Sequence, residues 1–487
     1  MKKIFHLLLV FSIPAVVLLL SNCRKEQFGK GNLSFSTDTL TFDTVFTSLG
    51  STTKYFKVFN TDKKAVKISN IHLKHLVGTQ FRISVDGLQG DNFNEVEIPA
   101  KDSVYVFVEV TVNPTSAATP FLIIDDVEFT SNGETSTVHL QAFGQNAHFH
   151  YGQIINGAET WNSDLPHVVI SHDTVPGIYI KCGGSLTINS GCKIFFANNS
   201  ALFVEGTLNA NATSWTDSIV FQGVRLEEYY NDKPGQWFGI VFLRNKTCTP
   251  QGNFNHCIIN ESSYGIYAGA GLSVSITDYL GATGRPEVTI QNSIVENSLY
   301  NAVYGFNANI NAENSIFHTA GENLVKFGLG GDYTFNQCTM YNGGSKYVDH
   351  QKESLFLSNL VSDGTNTYLE PLKTNFTNCV VYGSLENEVS FNNAESPSFT
   401  NFDNAFHYCD VKTKQDTFEL FSGIHDNMLF NQEPRFVKAE EFNFTPSDSA
   451  GFFSPLIDFA PTGLSEDIYG THRPQRTKWD VGAIELR

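Results

Sequence analysis

The chain is poor in positive charge: 32 Lys and Arg stand against 50 Asp and Glu, a formal net charge of -18. No basic stripe interrupts this deficit, so a phosphate backbone would be repelled and nucleic acid is not expected as a partner. Methionine is scarce, at 3 residues, whereas Phe reaches 41 and Gly 38, a balance that favours strands closed by tight turns over helices. No Cys-x-x-Cys occurs among the 8 cysteines, which removes the usual spacing of a tetrahedral metal site; no metal and no cofactor are expected. What is present, 41% hydrophobic and 17% charged over 487 residues, is globular composition with material for more than one core.

The first segment is read as targeting rather than fold. Lys2 and Lys3 precede an apolar run from Leu7 to Leu20, broken by Ser12 and Pro14, too short to span a bilayer comfortably and shaped like a signal peptide over 1–22. It ends in Leu20-Ser21-Asn22-Cys23, which resembles a bacterial lipobox, although Asn22 stands where Gly, Ala or Ser is usual. The resemblance implies lipid attachment at Cys23, a lipidated tether over 23–31 and a membrane partner held through several acyl chains. A cleaved secretory signal with an incidental Cys is the alternative. As an outer-membrane lipoprotein the chain would face the periplasm or the cell surface. Arg24-Lys25-Glu26-Gln27 lacks the acidic run that resembles a surface-export signal in lipoproteins of the Bacteroidetes type.

Residues 32–146 read as about seven short strands: Leu40 to Phe46, Tyr55 to Asn60, Val66 to Leu76, Phe81 to Val85, Ser103 to Val112, Phe121 to Phe129 and Thr137 to Phe143. Asp86-Gly87 and Asn132-Gly133 are turn pairs between them. That spacing predicts an immunoglobulin-like β-sandwich. The runs Phe56-Lys57-Val58-Phe59-Asn60 and Asp102-Ser103-Val104-Tyr105-Val106 also resemble Ig-like modules of the abnormal-spindle type, which implies a spacer, with carbohydrate binding as the sharper alternative. His148 and His150 alternate on one strand, with His167 and His172 downstream; no third ligand sits at a convincing spacing, and a strand joining two domains is the expectation.

From 147 to 430 a repeat dominates. Asn292-Ser293-Ile294-Val295 and Asn314-Ser315-Ile316-Phe317 are its clearest copies; His256-Cys257, Gln337-Cys338, Asn378-Cys379 and Tyr408-Cys409 are others. Ser293 to Ser315 is 22 residues and Ser315 to Cys338 is 23, room for three short strands and three turns per coil. Intervals of 36, 41 and 30 residues elsewhere need insertions, placed at Gly269 to Pro286 and Asn342 to Lys352. Cys in the repeat acts as a small hydrophobe, and the preceding polar residue is expected to form an amide ladder. Cys182 and Cys192 are a candidate local disulfide. The progression from Ser185-Leu186-Thr187-Ile188 through Trp237-Phe238-Gly239-Ile240 resembles the opening coils of right-handed parallel β-helix proteins of the pectate-lyase-like kind. Residues 431–487, with Ser454-Pro455-Leu456-Ile457-Asp458, Asp467-Ile468-Tyr469-Gly470 and Asp480-Val481-Gly482-Ala483, resemble the end of bacterial β-helix proteins with a choice-of-anchor Q domain. That implies a terminal cap, with Asp458, Asp467, Arg473, Asp480 and Glu485 in structural pairs.

The expectation is therefore an all-β chain: an Ig-like sandwich, then a right-handed parallel β-helix, in a lipid-anchored envelope protein that binds polysaccharide or another envelope component. The resemblance class also implies a polysaccharide lyase or glycoside hydrolase as the alternative. Lys326, Asp332, Lys346, Asp349 and His350 lie in neighbouring coils, but their spacing defines no catalytic set. Tyr229 and Tyr230, in a loop near Trp215 and Trp237, are the candidate carbohydrate platform, because a sugar ring stacks on an aromatic face.

Overall fold

The structure, a computed structural model, describes residues 28–29, 31–76, 80–244, 247–270, 284–393, 401–414 and 423–487. Cys23, the apolar leader 1–22 and most of the 23–31 tether lie outside these residues. The chain divides into two compact units whose boundary in sequence falls between Asn146 and Ala147.

The first unit is an Ig-like sandwich of two five-stranded sheets. Alternation decides which residues face inward: in Ser103–Val110 the residues Val104, Val106, Val108 and Val110 are buried, while Tyr105, Phe107 and Glu109 point outward. Val85 to Leu88 and Ser131 to Glu134 are joined by Asp86-Gly87 and Asn132-Gly133, all four at positive φ, the geometry of a two-residue hairpin. Three strands go beyond the seven expected: Leu33–Phe35, Leu88–Gly90 and Asn92–Ile98. Two of these are short and the third is mostly exposed and polar, so none carries the apolar alternation that marks a strand in sequence.

The second unit is a parallel β-helix. Among the described residues its three long sheets hold 11, 9 and 10 strands, and each strand pairs in parallel with its counterpart in the next coil. We call them the first face (His148–Tyr151 to Leu429–Phe430), the second face (Gln153–Ile155 to Val389–Asn392) and the third face (Ala158–Trp161 to Ile424–Asp426). A right-handed crossover is the hand that parallel connections take in twisted sheets. One continuous core fills the interior, including the ring stack Phe335, Phe376, Phe406 at 5.4 and 4.7 Å. At the first coil His150 and His167 lie side by side on Trp161, at 4.3 and 4.5 Å. Burial lowers both imidazole pKa values, that of His167 to about 4, so the pair is neutral at pH 7.

The repeat marks the corner between the third and first faces. His256, Asn292, Asn314, Gln337, Asn378 and Tyr408 all adopt left-handed φ, from 46° to 54°. Asn is the residue other than Gly that tolerates this region best, which explains its prevalence here. The following Ser or Cys fills the interior and accepts a backbone N–H from the coil before: Cys257 N donates to Ser293 Oγ at 3.1 Å and Ser293 N to Ser315 Oγ at 3.3 Å. Cys192, Cys257, Cys338, Cys379 and Cys409 are free and buried. Cys182 bonds Cys248, not the nearer Cys192, which lies inside the core while Cys182 faces out.

The amides of this corner do not chiefly bond one another. They hold the C-terminal segment, which runs back across the coils in reverse order. Phe459 packs edge-on to Tyr408; Asn378 Nδ2 donates to Thr462 O at 2.8 Å; Leu464 N donates to Gln337 Oε1. Asn314 Nδ2 then donates to Glu466 O at 2.8 Å, and Trp215 Nε1 to Ile468 O. Leu456, Ala460, Ile468, Val481 and Ile484 cover Ile316, Val380 and Tyr382 on the outside of the first face. The segment is thus a lateral strap along the flank, where a cap across the end is the sequence expectation. Its charged residues serve the strap itself. Asp458 Oδ1 accepts the N–H groups of Thr477 and Lys478, Asp467 Oδ1 those of Tyr469 and Thr471, and Asp480 Oδ2 that of Leu486. Arg473 and Glu485 form a buried pair at 3.6 Å.

Candidate functional site

With the first face strapped, the second and third faces present side chains outward. The third face is a field of amides, hydroxyls and charges: Glu287, Asn309 and Asp332 in one row, Thr289, Asn311 and Thr334 in the next, lining a shallow groove. The second face differs. Register aligns Ile154, Tyr179, Phe203, Val241, Tyr267, Tyr304, Lys326 and Phe356 as one row, one residue per coil, in which Phe203 and Val241 are buried in a small cluster with Ala201 and Leu243.

At the centre of that row Tyr267 and Tyr304 stack at 4.5 Å and 17°, with Tyr264 beside them at 5.5 and 6.4 Å. Tyr264 also meets Tyr300 at 5.1 Å and Phe238 at 5.6 Å. Phe238 and Tyr300 are exposed. Gly239 makes this packing possible. Its φ is +133°, and a Cβ there would lie 1.8 Å from the Tyr264 carbonyl oxygen. The Lys326 ammonium closes the platform, 5.0 Å over Tyr304 and 3.9 Å from Glu322, and Lys352 reaches the same carboxylate at 2.9 Å. Burial lowers the Lys326 pKa, Glu322 opposing and Lys352 adding to the effect; burial pushes the Tyr267 hydroxyl up to about 12.

Two insertions, residues 224–236 and 343–354, leave the solenoid at the corner between the first and second faces, and a third, residues 359–371, at the corner between the second and third; the insertion expected from Gly269 to Pro286 lies largely outside the described residues. Residues 224–236 separate Ile219–Gly223 from Trp237–Leu243, and both ends of that loop are held by Glu261: Oε2 accepts Gly223 N and Oε1 accepts Asp232 N, each at 3.0 Å. Glu388 plays the same part at the corresponding corner further along, accepting Ser354 N, Ser354 Oγ and Leu385 N. Burial raises each carboxyl pKa to about 7. Neither has access to a substrate, at 4% and 0% exposure, so both act as staples for loops.

Tyr229 and Tyr230 sit in the first insertion, edge to face at 5.0 Å. Tyr229 is 64% exposed. The Arg225 guanidinium lies 3.9 Å from the Tyr230 ring centre, and Lys233 lies 4.4 Å from that of Tyr229. The second insertion reaches this loop, Tyr347 Oη donating to Tyr229 O at 3.0 Å. Trp215 belongs elsewhere, under the strap, and Trp237 is interior, stacked on Phe196 at 4.1 Å. The charged residues of neighbouring coils disperse. Asp332 is on the third face near Lys373; Lys346 lies over Tyr347; His350 is tucked in, 3.3 Å from Glu388. Only Lys326 of that set joins the tyrosines. Among the described residues no group of three or more His, Cys, Asp or Glu is placed to hold a metal ion.

The tyrosine platform was hidden in sequence because Tyr267 and Tyr304 are 37 positions apart, across an insertion, although they are neighbours in register. Counting coils outward from the Ser293 and Ser315 repeat aligns Val303 with Val325, and hence Tyr304 with Lys326; that much of the row was within reach.

No protein-family model and no curated protein matches the sequence. Among solved structures, the chain is similar to a family 123 glycoside hydrolase from Clostridium perfringens, described in connection with glycolipid glycan hydrolysis, at 9% identity and a TM-score of 0.18. The match covers 27% of this chain and 30% of that one, so the chain spans under a third of that structure's length. A likeness of this size carries no functional argument.

Proposed function

We propose that this is a cell-envelope protein, anchored by lipid at Cys23 to the outer membrane on its periplasmic or outer side, that binds polysaccharide along the second face of the β-helix. The observation that carries the reading is the register row from Tyr267 through Tyr304 and Lys326 to Phe356, four half-buried side chains in successive coils that begin with stacked tyrosines. Coils repeat at about 4.8 Å, comparable with the length of a sugar ring, so a glycan lying along these four coils meets a new side chain at each residue. Lys326 and Lys352 offer ammonium groups for carboxylate-bearing sugars. Retardation of the full chain in native gels containing uronic-acid polysaccharides tests this. The double variant Tyr267→Ala, Tyr304→Ala is expected to lose about tenfold in affinity, about 1.4 kcal/mol. Equal retardation of variant and parent would sink the assignment of the face. For the anchor, palmitate labelling should vanish in Cys23→Ala.

A second reading, a polysaccharide lyase, draws on Lys326, whose lowered pKa brings a free amine closer to neutral pH as a base for the proton α to a carboxyl group. Unsaturated products detected by absorbance, and lost in Lys326→Met, would replace binding by catalysis.

A further inference from the structure

The outer face of one sheet of the sandwich carries a second built cleft, and the geometry points to a site for an uncharged pyranose oligosaccharide. Cross-strand register places Tyr55 opposite Phe107 and Lys57 opposite Tyr105. The three aromatic rings adjoin as one uneven shelf: Tyr105 and Phe107 are parallel, 5.9 Å apart at 13°, and Tyr55 is tilted against them at 5.3 and 5.8 Å, while the Lys57 ammonium lies 4.6 Å over the Tyr105 ring. Their exposures are 54% for Tyr55, 38% for Tyr105 and 36% for Phe107, high for three adjacent large rings on one sheet. The next strand puts Ser84 opposite Phe107 and Arg82 opposite Glu109, and Gln89 pairs with Ser84 beyond. Because Ser84 is small, the surface falls away beside the Phe107 ring. The resulting cleft is lined by Thr53, Arg82, Gln89, Asp91 and Glu109 as well as Phe107.

An apolar wall facing convergent polar groups is the general construction of a small-ligand site. The C–H face of a pyranose suits the Phe107 ring, with Tyr105 beside it as the edge of the shelf, and its hydroxyls suit the opposing rim, where carboxylate, amide and guanidinium supply both acceptors and a donor. Two members of the rim are already oriented. Thr53 Oγ1 donates to Glu109 Oε1 at 2.6 Å, and Arg82 Nη2 donates to Thr111 Oγ1 at 2.9 Å. The charges at the cleft are of both signs, Arg82 against Glu109 and Asp91, so neither a polyanion nor a polycation is favoured. Hydroxyl-rich uncharged sugars are the class left. This site is separate from the second face of the β-helix and stands whether or not that face binds glycan.

The test uses the full chain carrying Tyr267→Ala and Tyr304→Ala, so that the sandwich is read alone. Native gels cast with xylan, galactomannan or hydroxyethylcellulose are expected to retard this protein, and polygalacturonate is not. Adding Tyr105→Ala and Phe107→Ala should reduce the affinity at least tenfold. Ser84→Gln, which fills the cleft from an outward position and leaves the shelf and core intact, should do the same, so the result does not rest on the folding of one variant. No retardation by any of the three uncharged polymers would overturn the proposal, as would unchanged retardation of the Ser84→Gln protein.

Discussion

Glu261 shows how a single buried group ties stability to pH. Its folded pKa, about 7, lies above the ordinary carboxyl value of 4.5, so the folded state holds the proton more tightly than the unfolded state does. The stability it contributes is present below pH 4.5 and is lost as pH rises through 7. Buried histidines such as His167 act in the opposite sense over an overlapping range, so the effect is read as a difference. The melting temperature of Glu261→Gln relative to the parent should move in the variant's favour between pH 5 and pH 8, and a flat difference would remove the carboxyl as the cause. The thiols offer a second measurement at this scale. Burial raises the pKa of Cys257, Cys379 and Cys409 and seals them in the core. Peptide mapping after iodoacetamide treatment of the native protein should find them unmodified, and modified once the chain is unfolded.

Among elements, the left-handed corner makes the sharpest claim. Asn314 serves both the turn, at φ 47°, and the strap, through Glu466 O. Asn314→Gly keeps the turn and loses the hydrogen bond, about 1 kcal/mol; Asn314→Ala loses both, about 2 to 3 kcal/mol. Chemical denaturation of the two variants should rank them in that order. Gly239→Ala is expected to displace Tyr264 and weaken glycan retention along the second face more than it weakens the sandwich cleft. What was legible in the chain follows the same division. The β-helix could be read because Asn292-Ser293 and Asn314-Ser315 answer to a local demand, a left-handed turn followed by a small interior side chain, and local demands leave a periodic trace. The sandwich could be read from the valine alternation in Ser103–Val110. The strap's place could not: Asp467 and Asp480 signal tight turns, which are local, whereas the partners of Thr462 and Glu466 are set by which coils happen to lie beneath them. The Tyr267 and Tyr304 stack was obscured for a related reason, since an insertion hides which residues are in register.

For the solenoid as a whole, coils that touch only their neighbours would unfold piecemeal. The strap binds coils from Trp215 to Tyr408, so it couples them. Deleting residues 453–487 should speed hydrogen exchange in Ile316–Ala320 and Val380–Gly383 at least about tenfold, the ratio for 1.4 kcal/mol, and leave Ser103–Val110 of the sandwich unchanged. If exchange in the two first-face strands stays as in the parent, the strap is ornament rather than brace. The bond from Trp215 to Ile468 also joins positions 253 apart in sequence, and that distance is a matter of time as well as space. Contacts so remote are slow to form, and a nascent chain emerges in order. Each coil is made before the residues that cover its first face, and the earliest strapped coils wait longest. During synthesis Ile316, Val380 and Tyr382 are therefore an uncovered apolar strip, and the chain is protected from its own sticky intermediate only once the residues from Leu456 to Ile484 have emerged to cover it.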